Sequence, residues 1–132
     1  MIAPRAPSLL GLVSRLAPVV VSGNTSVVLA SEIQPMPAIT FAEVLESSDV
    51  PAGVVNVLTG RQAELVPWLA DHMDVNAVDM AGADGELRVR IEQGAVHNVK
   101  RLIGTDGNFD GQSPYLIAAF TETKTVWHPK GL

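Results

Sequence analysis

The chain contains no cysteine. That absence excludes a disulfide framework, a thiolate metal site and a cysteine nucleophile together. Basic residues are also scarce, nine Lys and Arg against fourteen Asp and Glu, for a net charge of −5 and a pI near 5.0. Only Lys100 and Arg101 are adjacent, so no nucleic-acid partner is expected, because phosphate binding needs clustered cations. Long hydrophobic runs are missing too, and no contact with a membrane is expected. Arg5 followed by Leu9–Val21 has the outline of a signal peptide. However, Arg15 splits the apolar stretch, and Leu9, Leu12, Val13, Leu16 and Ala17 fall at helical spacing, which reads as a packed amphipathic helix. A cytoplasmic location follows as the expectation. Asn24-Thr25-Ser26 formally fits a glycosylation triplet, which carries little weight without a signal peptide.

What is present is a globular composition: 132 residues, 47% apolar and 17% charged, enough to bury one core. After a first helix over 8–19, Thr25–Ala30 reads as a strand. A helix opening near Pro35 follows, with Ala38, Phe41, Ala42 and Leu45 on one face, and Pro51 and Gly53 break the chain after it. Val54–Leu58 is a nearly continuous apolar strand, as expected where both sheet faces are covered. A second unit repeats the order. Leu65, Val66, Leu69 and Ala70 give a helical face, with Pro67 placed in the first turn, and Val75–Met80 gives a strand. Ala81-Gly82-Ala83 gives a tight turn, Asp84 an N-cap for a helix to about Val96, and Val99–Ile103 a weak last strand. Strands alternating with helices at this spacing predict an α/β fold: a Rossmann-like parallel sheet with flanking helices and right-handed crossovers. Tyr115–Trp127 reads as an extended carboxyl-terminal strand or arm. Thr121, Thr123, Thr125 and Trp127 share one face of it, and Glu122 and Lys124 the other.

Two stretches carry a resemblance. Gly23-Asn24-Thr25-Ser26-Val27-Val28-Leu29-Ala30-Ser31-Glu32 and Pro51-Ala52-Gly53-Val54-Val55-Asn56-Val57-Leu58-Thr59-Gly60 resemble the GNTVVVKPSE and PPGVVNVVTG segments of NAD(P)-dependent aldehyde dehydrogenases. Phe120-Thr121-Glu122-Thr123-Lys124-Thr125-Val126 resembles that family's last strand, YTEVKTV, which joins subunits. The resemblance implies an aldehyde dehydrogenase-like nucleotide-binding domain over 1–104, a loop over 105–114 in place of the catalytic domain, and an oligomerisation-type strand and tail over 115–132. Partners implied are a second copy of the chain or a full-length aldehyde dehydrogenase, met through 115–127.

In an open α/β sheet, ligands sit beyond the carboxyl ends of the strands. Those ends are Leu29–Glu32, Thr59–Gly60 and Ala81–Ala83. The resemblance therefore implies cofactor binding by Ser31, Glu32, Gly60 and Gly82, in a degenerate site. The family's ribose-binding Lys falls at Leu29 and its Pro at Ala30, and a motif glycine after the second strand falls at Gln62. FTGS becomes Met80-Ala81-Gly82-Ala83, followed by Asp84, a negative charge where a phosphate would lie. The expected cofactor is none, or NAD(P) bound weakly. No catalytic residue is expected: the Cys nucleophile is absent, the oxyanion Asn falls at Ala6, and the Glu that activates water falls at about Thr105.

Other constellations read as ordinary structure. Asp106–Gly111 matches the first half of a calcium loop, but Ile117 stands where the bidentate Glu belongs and Pro114 occupies another ligand position; a polar turn is the expectation. His72, His97 and His128 lack ligand spacing, so no metal is expected, and Asp71, His72 and the serines have no nucleophile elbow. Trp68 is expected to pack on its helix and Trp127 to anchor an interface. The chain reads as a non-catalytic aldehyde dehydrogenase-like subunit or remnant. The alternative is an NAD(P)-binding component of an aldehyde oxidoreductase, and a decayed gene product is a third reading.

Overall fold

The computed structural model describes residues 1–104 and 113–131. The elements run α1 (Ser8–Val21), β1 (Ser26–Leu29), α2 (Met36–Glu46), β2 (Val55–Leu58), α3 (Gln62–Asp71), β3 (Ala77–Asp79), α4 (Gly85–Ala95), β4 (Arg101–Ile103) and α5 (Pro114–Ala118). β1 pairs with β2 and β3 with β4, both in parallel, with Ser26 opposite Val55 and Ala77 opposite Arg101. Residues 1–3 join the two pairs. Ala3 N–H donates to Leu29 O at 2.9 Å, Leu29 N–H to Met1 O at 2.9 Å, and Ile2 N–H to Asp79 O at 3.0 Å. The expected α/β, Rossmann-like arrangement of parallel strands flanked by helices is present.

Strand alternation sorts the side chains into two layers. Ile2, Leu29, Val78 and Met80 face α3 and α4, where Val66, Ala70 and Ile91 complete one core cluster. Ala3, Val28 and Ala30 face the other way, onto Leu12 and Leu16 of α1 and Ala38 of α2. Asp79 shares that second face, and Arg15 of α1 meets it there. Its Nε donates to Asp79 Oδ2 at 2.8 Å, and Nη2 lies 2.7 Å from the same oxygen. The remaining carboxylate oxygen, Oδ1, accepts from Ala81 N–H at 2.9 Å. The arginine that splits the first apolar stretch is therefore a buried partner of the sheet.

Several expectations are corrected. β2 is covered on one face only: Val55 and Val57 are half-buried against the second cluster, while Asn56 and Leu58 are exposed, because none of the described helices covers that side of an edge strand. Pro67 lies in the second turn of α3, since the helix already starts at Gln62. Trp68 is 78% exposed, on the face of α3 opposite Val66 and Ala70. The segment read as extended from Tyr115 begins as a helix: Ser113 Oγ accepts from Tyr115 N–H at 3.3 Å and Pro114 takes the first helical position. Residues 121–131 are exposed and join no β-ladder among the described residues. The calcium-loop match at 106–111 and Thr105 lie outside the described residues.

Candidate functional site

Because the strands are parallel, their carboxyl ends share one edge, and the four candidate residues stand there: Ser31 and Glu32 after β1, Gly60 after β2, Gly82 after β3. Ser31 is buried, and its hydroxyl donates to Arg5 O at 2.8 Å while accepting from Gln34 N–H at 3.3 Å. It ties the loop after β1 to the loop before α1. Glu32 is exposed, and its Oε2 accepts from Gln62 N–H at 3.2 Å, the first residue of α3. A carboxylate on a helix N-terminus satisfies an orphan donor and complements the dipole. Through Oε2 this acid bridges β1 to α3.

Gly60 adopts φ +154°, and a Cβ there would stand 2.9 Å from Leu65 Cδ1. Gly82 approaches backbone closely, but the backbone is the protein's own: a Cβ would lie 2.1 Å from Ala3 O, and Gly82 N–H donates to Ile2 O at 3.0 Å. This glycine seats the β3–α4 turn on the central segment. Asp84 occupies the N-cap of α4 in extended conformation without a side-chain cap bond, and Glu86 follows in the first turn, so two acids stand where an anion would approach.

The positions that depart from the family motif are built into the fold. Leu29 is 2% exposed within the α3–α4 cluster. Gln62 is 1% exposed, and neither polar atom of its amide has a partner among the described residues. Spacing to the motif places Gln62 at this edge, but only the tertiary contacts reveal that its side chain turns inward. Ala6 is exposed, with no amide to offer an oxyanion. No group of acids and histidines suited to a metal occurs among the described residues, and no helix there is long and apolar enough to cross a membrane.

A cavity of about 230 Å³ lies at the opposite, amino edge of the sheet, lined in part by Met1, Asn24, Asn56, Asp74 and Phe120. There the Met1 ammonium donates to Val27 O at 2.8 Å, and burial pushes its pKa down from 8.0 to about 6 against the opposing pull of Asp79. Nearby, Lys100 Nζ donates to Val75 O at 2.9 Å and to His72 O, just beyond the end of α3, and burial lowers its pKa. These charges serve structure.

Parallel βαβ units with flanking helices, a glycine turn after β3 and an acidic residue after β1 make a Rossmann-like α/β scaffold. The aldehyde dehydrogenase family model matches residues 1–126, and the chain belongs to that family. An aldehyde dehydrogenase-like protein of Schizosaccharomyces pombe is 28% identical over 120 residues, covering 89% of this chain and 23% of that protein. D-glyceraldehyde dehydrogenase (NADP(+)) of Thermoplasma acidophilum is 34% identical over 108 residues, covering 81% and 21%. Human cytosolic 10-formyltetrahydrofolate dehydrogenase is 34% identical over 98 residues, covering 74% and 10%. The chain thus spans less than a quarter of each of these relatives.

Proposed function

We propose that this chain is a non-catalytic member of the aldehyde dehydrogenase family, acting as a subunit that associates through its carboxyl-terminal arm with a second copy or with a full-length dehydrogenase. The observation that carries this reading is the missing thiol. Aldehyde oxidation in the family needs a thiolate to form the thiohemiacetal, and no other residue replaces it. Residues at the carboxyl edge also suit NAD(P) poorly. The hydroxyl of Ser31 and one oxygen of Glu32 are spent on internal hydrogen bonds, and Asp84 and Glu86 oppose a pyrophosphate.

Two measurements test the reading. The purified chain should oxidise no aldehyde with NAD or NADP, and calorimetry should show dinucleotide binding no tighter than about 100 μM, near −5.5 kcal/mol. Turnover that persists after contaminating enzymes are removed would refute it. A second reading keeps the chain as the NAD(P)-binding component of an oxidoreductase. It is favoured by the exposure of Glu32 at the right edge and by the NADP(+) named for the Thermoplasma relative. Low-micromolar binding would decide for it.

A further inference from the structure

The helix that precedes the arm ends in an unusual way. α5 is five residues long, and the carbonyls at and after its end have no continuing helix to accept from. Three consecutive ones are instead held by side chains from the sheet. Arg101 Nη1 donates to Ala119 O at 3.1 Å and also to Thr121 O, and Asn24 Nδ2 donates to Phe120 O at 2.9 Å. Arg101 opens β4 and Asn24 sits just ahead of β1, so the anchors come from outer and inner strands at the same amino edge. Asn24 is itself fixed, its Nδ2 donating to Ser22 Oγ at 2.8 Å and its N–H to Val19 O at 3.2 Å. Beyond Thr121 the chain is exposed through residue 131. The three bonds therefore stand at the boundary between packed domain and free arm.

We propose that Asn24 and Arg101 form the seat of the carboxyl-terminal arm: they set the point and direction at which residues 121–131 leave the sheet, and through that the geometry in which the arm meets a second copy of the chain. The inference rests on the association reading above. A guanidinium reaching two carbonyls that flank a third, with an amide on the middle one, pins the φ and ψ rotations of Phe120. An arm leaving from a pinned residue samples fewer directions and loses less freedom on pairing with a neighbouring strand. The seat lies at the amino edge, so association there leaves the carboxyl edge uncovered. Asn24 belongs to the motif that signals a nucleotide scaffold, yet its side chain works at the other edge.

The test uses the full chain carrying Asn24→Ala and Arg101→Met. Heteronuclear NOE values at 119–121 should fall to those of residues 125–131, while circular dichroism keeps its α/β shape. Self-association by sedimentation equilibrium should weaken by about tenfold. Arg101→Lys, a point cation without the fork, should be intermediate in both. If the double variant does not fold, Arg101→Lys and Asn24→Ser carry the same measurements. Unchanged NOE values at 119–121 would overturn the seat. Loosened residues with unchanged association, in a chain whose association is abolished by deleting 121–131, would overturn its link to assembly. If that deletion leaves the oligomeric state untouched, the association reading fails instead, and the NOE values alone decide the seat.

Discussion

Arg15 and Asp79 show how far a single residue's meaning depends on its partner. Both side chains are almost wholly buried, at 4% and 0% exposure, and their separation in sequence is 64 residues. Removing one partner strands the other charge in a dry interior, whereas replacing both by apolar groups removes the desolvation cost as well. Asp79→Ala should therefore destabilise the protein by about 3–5 kcal/mol, and adding Arg15→Met should recover most of that loss. Urea denaturation of the two variants checks it; a loss under about 1 kcal/mol for Asp79→Ala would mean that water reaches Arg15. From sequence, Arg15 was legible as the charge that argues against a signal peptide and Asp79 as a strand residue. Their pairing was not, because period-2 and period-3.6 patterns report which face a residue takes, not what stands across from it. Ser31 and Glu32 follow the same rule. Their place at a strand end was readable, while the bonds to Arg5 and Gln62 join residues 26 and 30 positions apart.

Among the elements, α3 and α4 approach closely where Gly94 meets Ala70. A Cβ added to Gly94 would stand 2.8 Å from Ala70 O and 3.0 Å from Ala70 C, both backbone atoms that do not yield cheaply. Gly94→Ala should thus cost about 1–3 kcal/mol despite the better helix propensity of alanine. Gly131→Ala, with nothing within 4 Å, should change stability by less than about 0.5 kcal/mol. Thermal melts of both variants make the comparison, and equal melting temperatures would show that the helices separate freely. Helices α1, α2 and α4 and all four strands were legible from periodicity within a few residues. The onset of α3 was not, because Glu32, which takes up the Gln62 N–H, comes from another unit. α5 was missed although Ser113-Pro114 is a readable cap-and-first-position signal, because the Thr/Glu/Lys alternation downstream dominates the pattern.

For the whole molecule, the notable feature is that the sheet's two halves meet on residues 1–3, with the Met1 amine drawn into the interface. Its pKa is lowered from 8.0 to about 6, so between those values the folded state binds fewer protons than the unfolded one. Stability then rises with pH across that window and is lost as pH falls through it. A preparation with a free amine at Met1 should lose about 2 kcal/mol between pH 8 and pH 6. Amino-terminal acetylation should remove the dependence, and a pH slope that survives acetylation would assign it to other groups. At acid pH a separate contribution fades. The Arg90 hydrogen bond holds the Asp71 carboxyl below its ordinary 3.8, so the stabilisation from this exposed pair is present above that value and declines as pH falls below it.

The sequence by itself determined the βαβ units, their parallel pairing, the common edge formed by the strand ends and the missing thiol. All of these follow from local periodicity, turn residues and composition. Tertiary structure decided that Met1-Ile2-Ala3 is the centre of the sheet, that Gly82 is needed for the Ala3 carbonyl, and that Glu32 closes on α3. It also decided that Asn24 and Arg101 hold the root of the arm. A three-residue apolar segment has no period to read, and hydrogen bonds between residues far apart in sequence leave no local trace. Those features exist only once burial has brought distant backbone groups within bonding distance and obliged each to find a partner.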